Sequence, residues 1–317
     1  ENATLTITKK STGSLTATGG GYGAAGIGGR ATVPLNGDIK SYKTGTIEIQ
    51  GGNIHAVGGD CWFKGSATRL GGAGLGTGIY GMGGTVRILG GTVKAEGGKD
   101  TGAGIGGGDN GAVDSIQIGE KNGEAPEVEA RRWNVKYDAA NGSGRNAQSG
   151  LKLSCGTINI FSGNLKVKGN IGYGGIDKNE GNEQIGGSVD ISEQVKLKLT
   201  DGTIEPRGTT CTFGKKTFQM TVYDNQLSDG TYSVKIRFYQ EGDTARNTPV
   251  YETDAEMEVS AFKGTIPAVT EWLGFTGNMS VVAEVTDSQN NTVTTTGTAD
   301  PHAGKGENVY VTVGREA

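Results

Sequence analysis

The sequence has little of what catalytic and metal sites are commonly built from. It contains two histidines, His55 and His302, and three cysteines, Cys61, Cys155 and Cys211. Two distant histidines give a Ser-His-Asp triad or a histidine metal centre little to draw on. The cysteines are widely spaced with no Cys-x2-Cys pair, and their odd count leaves at least one free thiol. Six prolines, and glycines without a three-residue period, exclude a collagen-like chain. No apolar run approaches the ~20 residues of a membrane helix. The net charge of −4 offers no electrostatic basis for nucleic-acid binding. Glu1 opens directly into strand residues with no signal peptide in view, which reads as a mature or trimmed chain.

What the sequence does have is glycine. It makes up 59 of 317 residues, and 47 of the 59 lie within residues 1–200. Glycine costs ~1 kcal/mol per helical position relative to alanine, so a helical bundle is excluded. Regular Ile, Val and Leu between the glycines argue against a disordered linker. The composition step predicts two domains, 1–214 and 215–317.

The first part repeats itself. Residues 45–59 read GTIEIQGGNIHAVGG, residues 84–98 read GTVRILGGTVKAEGG, and residues 156–169 read GTINIFSGNLKVKG. Looser copies occur at 3–20 and 187–199. A second phrase follows some copies, as in Ala25-Gly-Ile-Gly-Gly29, Ala103-Gly-Ile-Gly-Gly107 and Gln184-Ile-Gly-Gly187. Alternation within each phrase predicts two very short strands separated by a glycine turn. The Gly-Ile-Gly-Gly phrase predicts a third. Strands this short bury their apolar face only by stacking on the next unit, so the expectation is an all-β fold, a parallel β-helix. Outward loops are expected at 59–77, 119–150 and 177–184. Glycine matches to G-x-G-x-x-G at 76–81 and 102–107 are read as corners, since strand rather than helix follows them.

The Gly-Gly-Thr-Val-x-Ile and Ala-Gly-Ile-Gly-Gly phrases resemble those of secreted bacterial right-handed parallel β-helix surface proteins. The resemblance covers roughly residues 1–200. It implies a right-handed β-helix and an extracellular or cell-surface setting in a bacterium. It also implies carbohydrate-binding or adhesin-like behaviour, with calcium as a conceivable cofactor.

Residues 215–317 alternate differently, in longer runs. Phe218, Met220 and Val222 form one face; Tyr232, Val234, Ile236 and Phe238 another; Met279, Val281, Ala283 and Val285 a third. Many strands with turns between them predict an immunoglobulin-like β-sandwich. Only Ala268–Phe275 suggests a helical turn, and Trp272 is expected in the core.

Aromatics are 6% of the chain, and several fall in the expected loops. Trp62, Tyr80, Trp133 and Tyr137 could stack on sugar rings, with Phe63 beside the first of them. Arg131 and Arg132 could meet acidic sugars. These six, Trp62, Tyr80, Arg131, Arg132, Trp133 and Tyr137, form the candidate ligand-binding set. The carboxylates are scattered and no catalytic residue is assigned. Asp109-Asn110-Gly111 and Asp177–Glu180 offer oxygen ligands without a defined calcium loop, so no metal ligand is assigned. The sequence therefore points to non-catalytic binding of polysaccharide or host-surface glycan, or to adhesion. A polysaccharide lyase or hydrolase needs clustered carboxylates in a cleft, foremost Asp109, Asp114 and the 119–150 segment. A structural stalk needs neither cleft nor exposed aromatics.

Overall fold

A computed structural model describes residues 3–32, 42–62, 70–99, 101–132, 139–144, 152–175, 183–192, 195–211, 213–240, 245–246, 249, 251–274, 279–299 and 308–314. Among these residues there is no helix, and the fold is all-β. The chain divides into two compact units, Glu1–Cys211 and Thr212–Ala317.

In the first unit the Thr-Ile-x-Ile phrases become one six-stranded parallel sheet. Its strands, in spatial order, are β1 (Thr4–Ile7), β4 (Thr46–Ile49), β9 (Thr85–Ile88), β12 (Ser115–Ile118), β16 (Thr157–Ile160) and β20 (Ser188–Ile191). The second strand of each phrase joins another parallel sheet: β2 (Ser14–Thr18), β5 (Asn53–Val57), β10 (Thr92–Glu96), β13 (Glu127–Arg131), β17 (Asn164–Lys168) and β21 (Lys196–Thr200). The third sheet comprises β3 (Ile27–Gly28), β8 (Leu75–Gly76), β11 (Ile105–Gly106), β14 (Ala139–Gly142), β18 (Asn170–Gly172) and β22 (Ile204–Glu205). The chain visits the three sheets in turn.

Register explains the sequence pattern. In the first sheet Ile47, Val86, Ile116, Ile158 and Val189 align, as do Ile49, Ile88, Ile118, Ile160 and Ile191. All ten are nearly inaccessible to solvent. Each buried side chain of this size contributes roughly 1.5–3 kcal/mol. The alternate positions face out, where Thr85 and Ser115 hydroxyls hydrogen-bond at 3.0 Å. β1 and β2 are edge strands, and their Leu5 and Leu15 remain exposed.

The third sheet shows why glycine is required. Gly28, Gly76, Gly106 and Gly142 stack in register with φ near +130°. A Cβ on any of the four would fall on the carbonyl oxygen of the next glycine in the column, Gly172 being the last of these. Both the dihedral and the space exclude a side chain.

Two loop expectations and one strand expectation need correction. Segment 119–150 contributes β13 and β14 to the sheets. Segment 59–77 contains β6 (Asp60–Cys61), β7 (Leu70–Gly71) and β8, with β6 and β7 antiparallel. The Gln184-Ile-Gly-Gly187 phrase does not enter the third sheet. Instead β19 (Glu183–Gln184) pairs with β15 (Lys152–Leu153), and Ile185 is exposed.

The second unit is a closed seven-stranded barrel in place of the expected two-sheet sandwich. Its strands are β23 (Phe213–Tyr223), β24 (Gly230–Gln240), β25 (Tyr251–Ser260), β26 (Lys263–Gly274), β27 (Met279–Thr286), β28 (Thr292–Ala299) and β29 (Asn308–Gly314). Their order is β23-β26-β25-β24-β27-β28-β29. β29 closes the circle by pairing antiparallel with β28 and parallel with β23. Closure removes the sheet edges that a sandwich would leave. Residues 268–274 of the predicted helical turn belong to β26. Inside, Phe218 meets Phe238 edge-to-face at 5.0 Å among Met220, Ile236, Val281 and Val311. The Trp272 side chain and His302 lie outside the described residues.

Candidate functional site

Trp62, Tyr80 and a residue the sequence reading passed over, Tyr22, belong to three segments that converge on Gly23. The Ile79 amide donates to the Gly23 carbonyl at 3.0 Å. A Cβ at Gly23 would fall on Ile79 Cδ1 and lie 3.6 Å from Cys61 Cβ. Gly23 therefore lets the neighbours of Tyr22, Tyr80 and Trp62 pack tightly. Tyr22 is 71% exposed and Trp62 66%, while Tyr80 is half-buried.

Two of these aromatics carry unusual backbone. Tyr22 has φ +72° and Tyr80 has φ +55°. Left-handed backbone costs a residue with a side chain about 1–2 kcal/mol. At Tyr80 the surrounding hydrogen bonds hold it, with its amide donating to the Asp109 carbonyl at 2.8 Å and the Gly81 amide to Gly78 at 3.0 Å. Backbone strain of this kind concentrates at ligand-contacting sites. The signal in the sequence was an aromatic residue followed by glycine at a turn, in Tyr22-Gly23 and Tyr80-Gly81.

The remaining candidates are placed otherwise. Arg132 is buried, donates to the Asp201 carbonyl, and fills the space beside Gly169, where a Cβ would lie 2.7 Å from its Cδ. It is an internal strut and not a surface cation. Arg131 is half-exposed but pairs with Glu96. Trp133 and Tyr137 lie outside the described residues, as do Phe63 and Asp177–Glu180.

Glu96 is the centre of a compact ionic cluster on the outer face of the second sheet. It is 5% exposed and receives His55 Nε2 at 3.0 Å, Lys94 Nζ at 2.9 Å and Arg131. Burial pushes its carboxyl up, but the hydrogen bonds from Lys94, Arg131 and His55 outweigh burial and hold it at about 2. A group so acidic stays ionised at neutral pH and cannot serve as a general acid.

Of the carboxylates foremost for a lyase, Asp109 and Asp114 differ sharply in exposure. Asp109 is fully buried and accepts from Asn110 Nδ2 at 2.7 Å, whereas Asp114 is exposed and accepts from the Gly84 amide at 3.1 Å. Among the described residues no group of three or more His, Cys, Asp or Glu could hold a metal ion. Cys61 and Cys155 are buried free thiols.

The barrel carries a separate open groove of about 720 Å³, lined by Tyr223, Asp224, Arg246, Thr294, Thr296 and Thr298 among others. Its size falls in the range of small-ligand sites, but its lining is polar rather than mainly apolar. Among the described residues no helix is long and apolar enough to cross a membrane. No protein-family model, curated protein or solved structure matches this chain.

Proposed function

We propose that this chain is an extracellular bacterial surface protein that binds glycans without catalysis. In this reading the three parallel sheets form a right-handed parallel β-helix, and its loops present Tyr22 and Trp62, exposed aromatics on two of the segments that meet at Gly23, to a sugar ring. The observation that carries it is that the segments bearing Tyr22, Trp62 and Tyr80 meet at Gly23, with Tyr22 and Trp62 exposed. Flat aromatic faces stack on the C–H side of sugars, and rigid aromatic anchors lose little side-chain entropy on binding. Catalysis is disfavoured because Asp109 is sealed and Glu96 is locked as an ion.

A glycan array probed with the full chain tests the proposal. The parent is expected to bind a defined set of glycans. Trp62→Ala and Tyr22→Ala should each weaken the best of them by about 1–2 kcal/mol, roughly five- to thirtyfold. A parent that binds no glycan, or variants that bind as it does, would sink the reading.

A further inference from the structure

The outer face of the second sheet changes character along the stack. From β10 to β13 its cations are interleaved with carboxylates. His55, Lys94 and Arg131 converge on Glu96, and Glu129 lies in register between Lys94 and Lys166. Beyond β13 the interleaving stops. The outward side chains of β17 and β21 are Asn164, Lys166 and Lys168, then Lys196, Lys198 and Thr200.

Lys166 and Lys198 stand directly side by side in the parallel register. Neighbouring strands lie ~4.8 Å apart, and like charges placed so are destabilising. Lys168 and Lys196 lie two residues along in opposite directions, ~7 Å away on the same face. Among the described residues Lys166, Lys196 and Lys198 make no ion pair, and Lys168 reaches only Asp201, at 3.9 Å with both side chains more than half exposed. Four ammonium groups thus gather on two strands of a chain whose net charge is −4.

We propose that this face of β17 and β21 binds an acidic polysaccharide, whose carboxylates are held by Lys166, Lys168, Lys196 and Lys198. The proposal rests on the glycan-binding reading above and names a ligand class for a second surface of the same unit. Asn164 and Thr200 at the two corners supply groups that hydrogen-bond sugar hydroxyls. The flat, regular face suits an extended polymer with repeated charge, and several weak contacts add along it. The face has no aromatic side chain on which a nucleobase could stack, and no arginine fork for a phosphate. This favours a polysaccharide over a nucleic acid.

The test uses the full chain and alginate, with EDTA present so that no calcium gel forms. The control is alginate with its carboxyls esterified, which keeps the polymer and removes the charge. The parent should bind alginate, should not retain the ester, and should weaken at least about tenfold between about 50 and about 300 mM salt. Lys166→Gln/Lys198→Gln should lose most of the alginate binding while its melting temperature does not fall, because the like-charge pair is removed. Should that pair fold poorly, Lys198→Gln alone, at an exposed position, provides the same readout. Trp62→Ala should keep alginate binding, which separates this face from the aromatic surface. The assignment is overturned if the parent ignores alginate at low salt, binds the ester equally, or binds duplex DNA or anionic vesicles in preference. It is also overturned if the lysine variants bind alginate like the parent, and none of these results bears on the glycan array.

Discussion

Removing the charge of Glu96 while keeping its shape, as Glu96→Gln, perturbs the ionic cluster at its centre. In the parent the carboxylate faces Lys94, Arg131 and the His55 imidazole and is 5% exposed. The drop from 4.5 to about 2 corresponds to roughly 3 kcal/mol of preference for the charged form in the folded state. His55, Lys94 and Arg131 are 39%, 40% and 40% exposed, so water screens them and reduces this to about 1–2 kcal/mol. Glutamine loses that attraction, and its NH2 group can only donate, toward cations that also donate. The variant should therefore be about 2 kcal/mol less stable than the parent at pH 7.

The pH dependence carries a sign. Folding lowers the pKa of Glu96, so its stabilisation is complete above about 4.5 and is lost as pH falls toward about 2. The gap between parent and variant should close over that window. Amide hydrogen exchange in the full chain reads this locally, at β5, β10 and β13, without requiring the two units to unfold together. Equal protection of parent and variant at pH 7 would refute the argument. So would a gap that persists unchanged at pH 2.

Two further expectations concern the interior. Gly106→Ala should cost more than about 3 kcal/mol, since its Cβ would fall on the Gly142 carbonyl oxygen at φ +129°, whereas Gly13→Ala meets nothing within 4 Å and should change stability by less than about 1 kcal/mol. Thermal melts followed by circular dichroism compare the two, and equal effects would count against the stacked-glycine account. Burial pushes the Cys155 thiol up to about 11, so in the native protein at pH 8 it should resist a thiol reagent while Cys211, only partly buried, reacts first. Peptide mapping after brief labelling decides it, and early labelling of Cys155 would contradict its sealed position.

The strand pairs of the first unit were legible because alternation and glycine punctuation coincide there. The copy built on β12 and β13 escaped notice because its turn lacks the Gly-Gly pair: Ile118-Gly119 is followed by Glu120 and Lys121, and strand resumes only at Glu127. Its side chains still alternate, with Val128 and Ala130 inward. Carried one step further, that alternation places Arg132 inward as well, so its burial could have been read from residue parity. Barrel closure could not. The β23–β29 pairing joins Phe218 to Val309, positions more than 90 residues apart, and alternation within a strand says nothing about which distant strand completes the circle.

The two proposed surfaces were hidden for different physical reasons. Tyr22 sits in a run of glycines that read as a corner, and what distinguishes it is a left-handed backbone and 71% exposure, neither of which the sequence displays. The lysine face was hidden by averaging. A net charge of −4 argues against polyanions only if charge is spread evenly, and parallel register decides how it is spread. Lys166 and Lys198 are 32 residues apart in the chain and adjacent in the sheet. Repeats of unequal length thus concentrate charge that no local window of the sequence contains. For a stacked chain of this kind, charge is better summed down each register column than along the sequence.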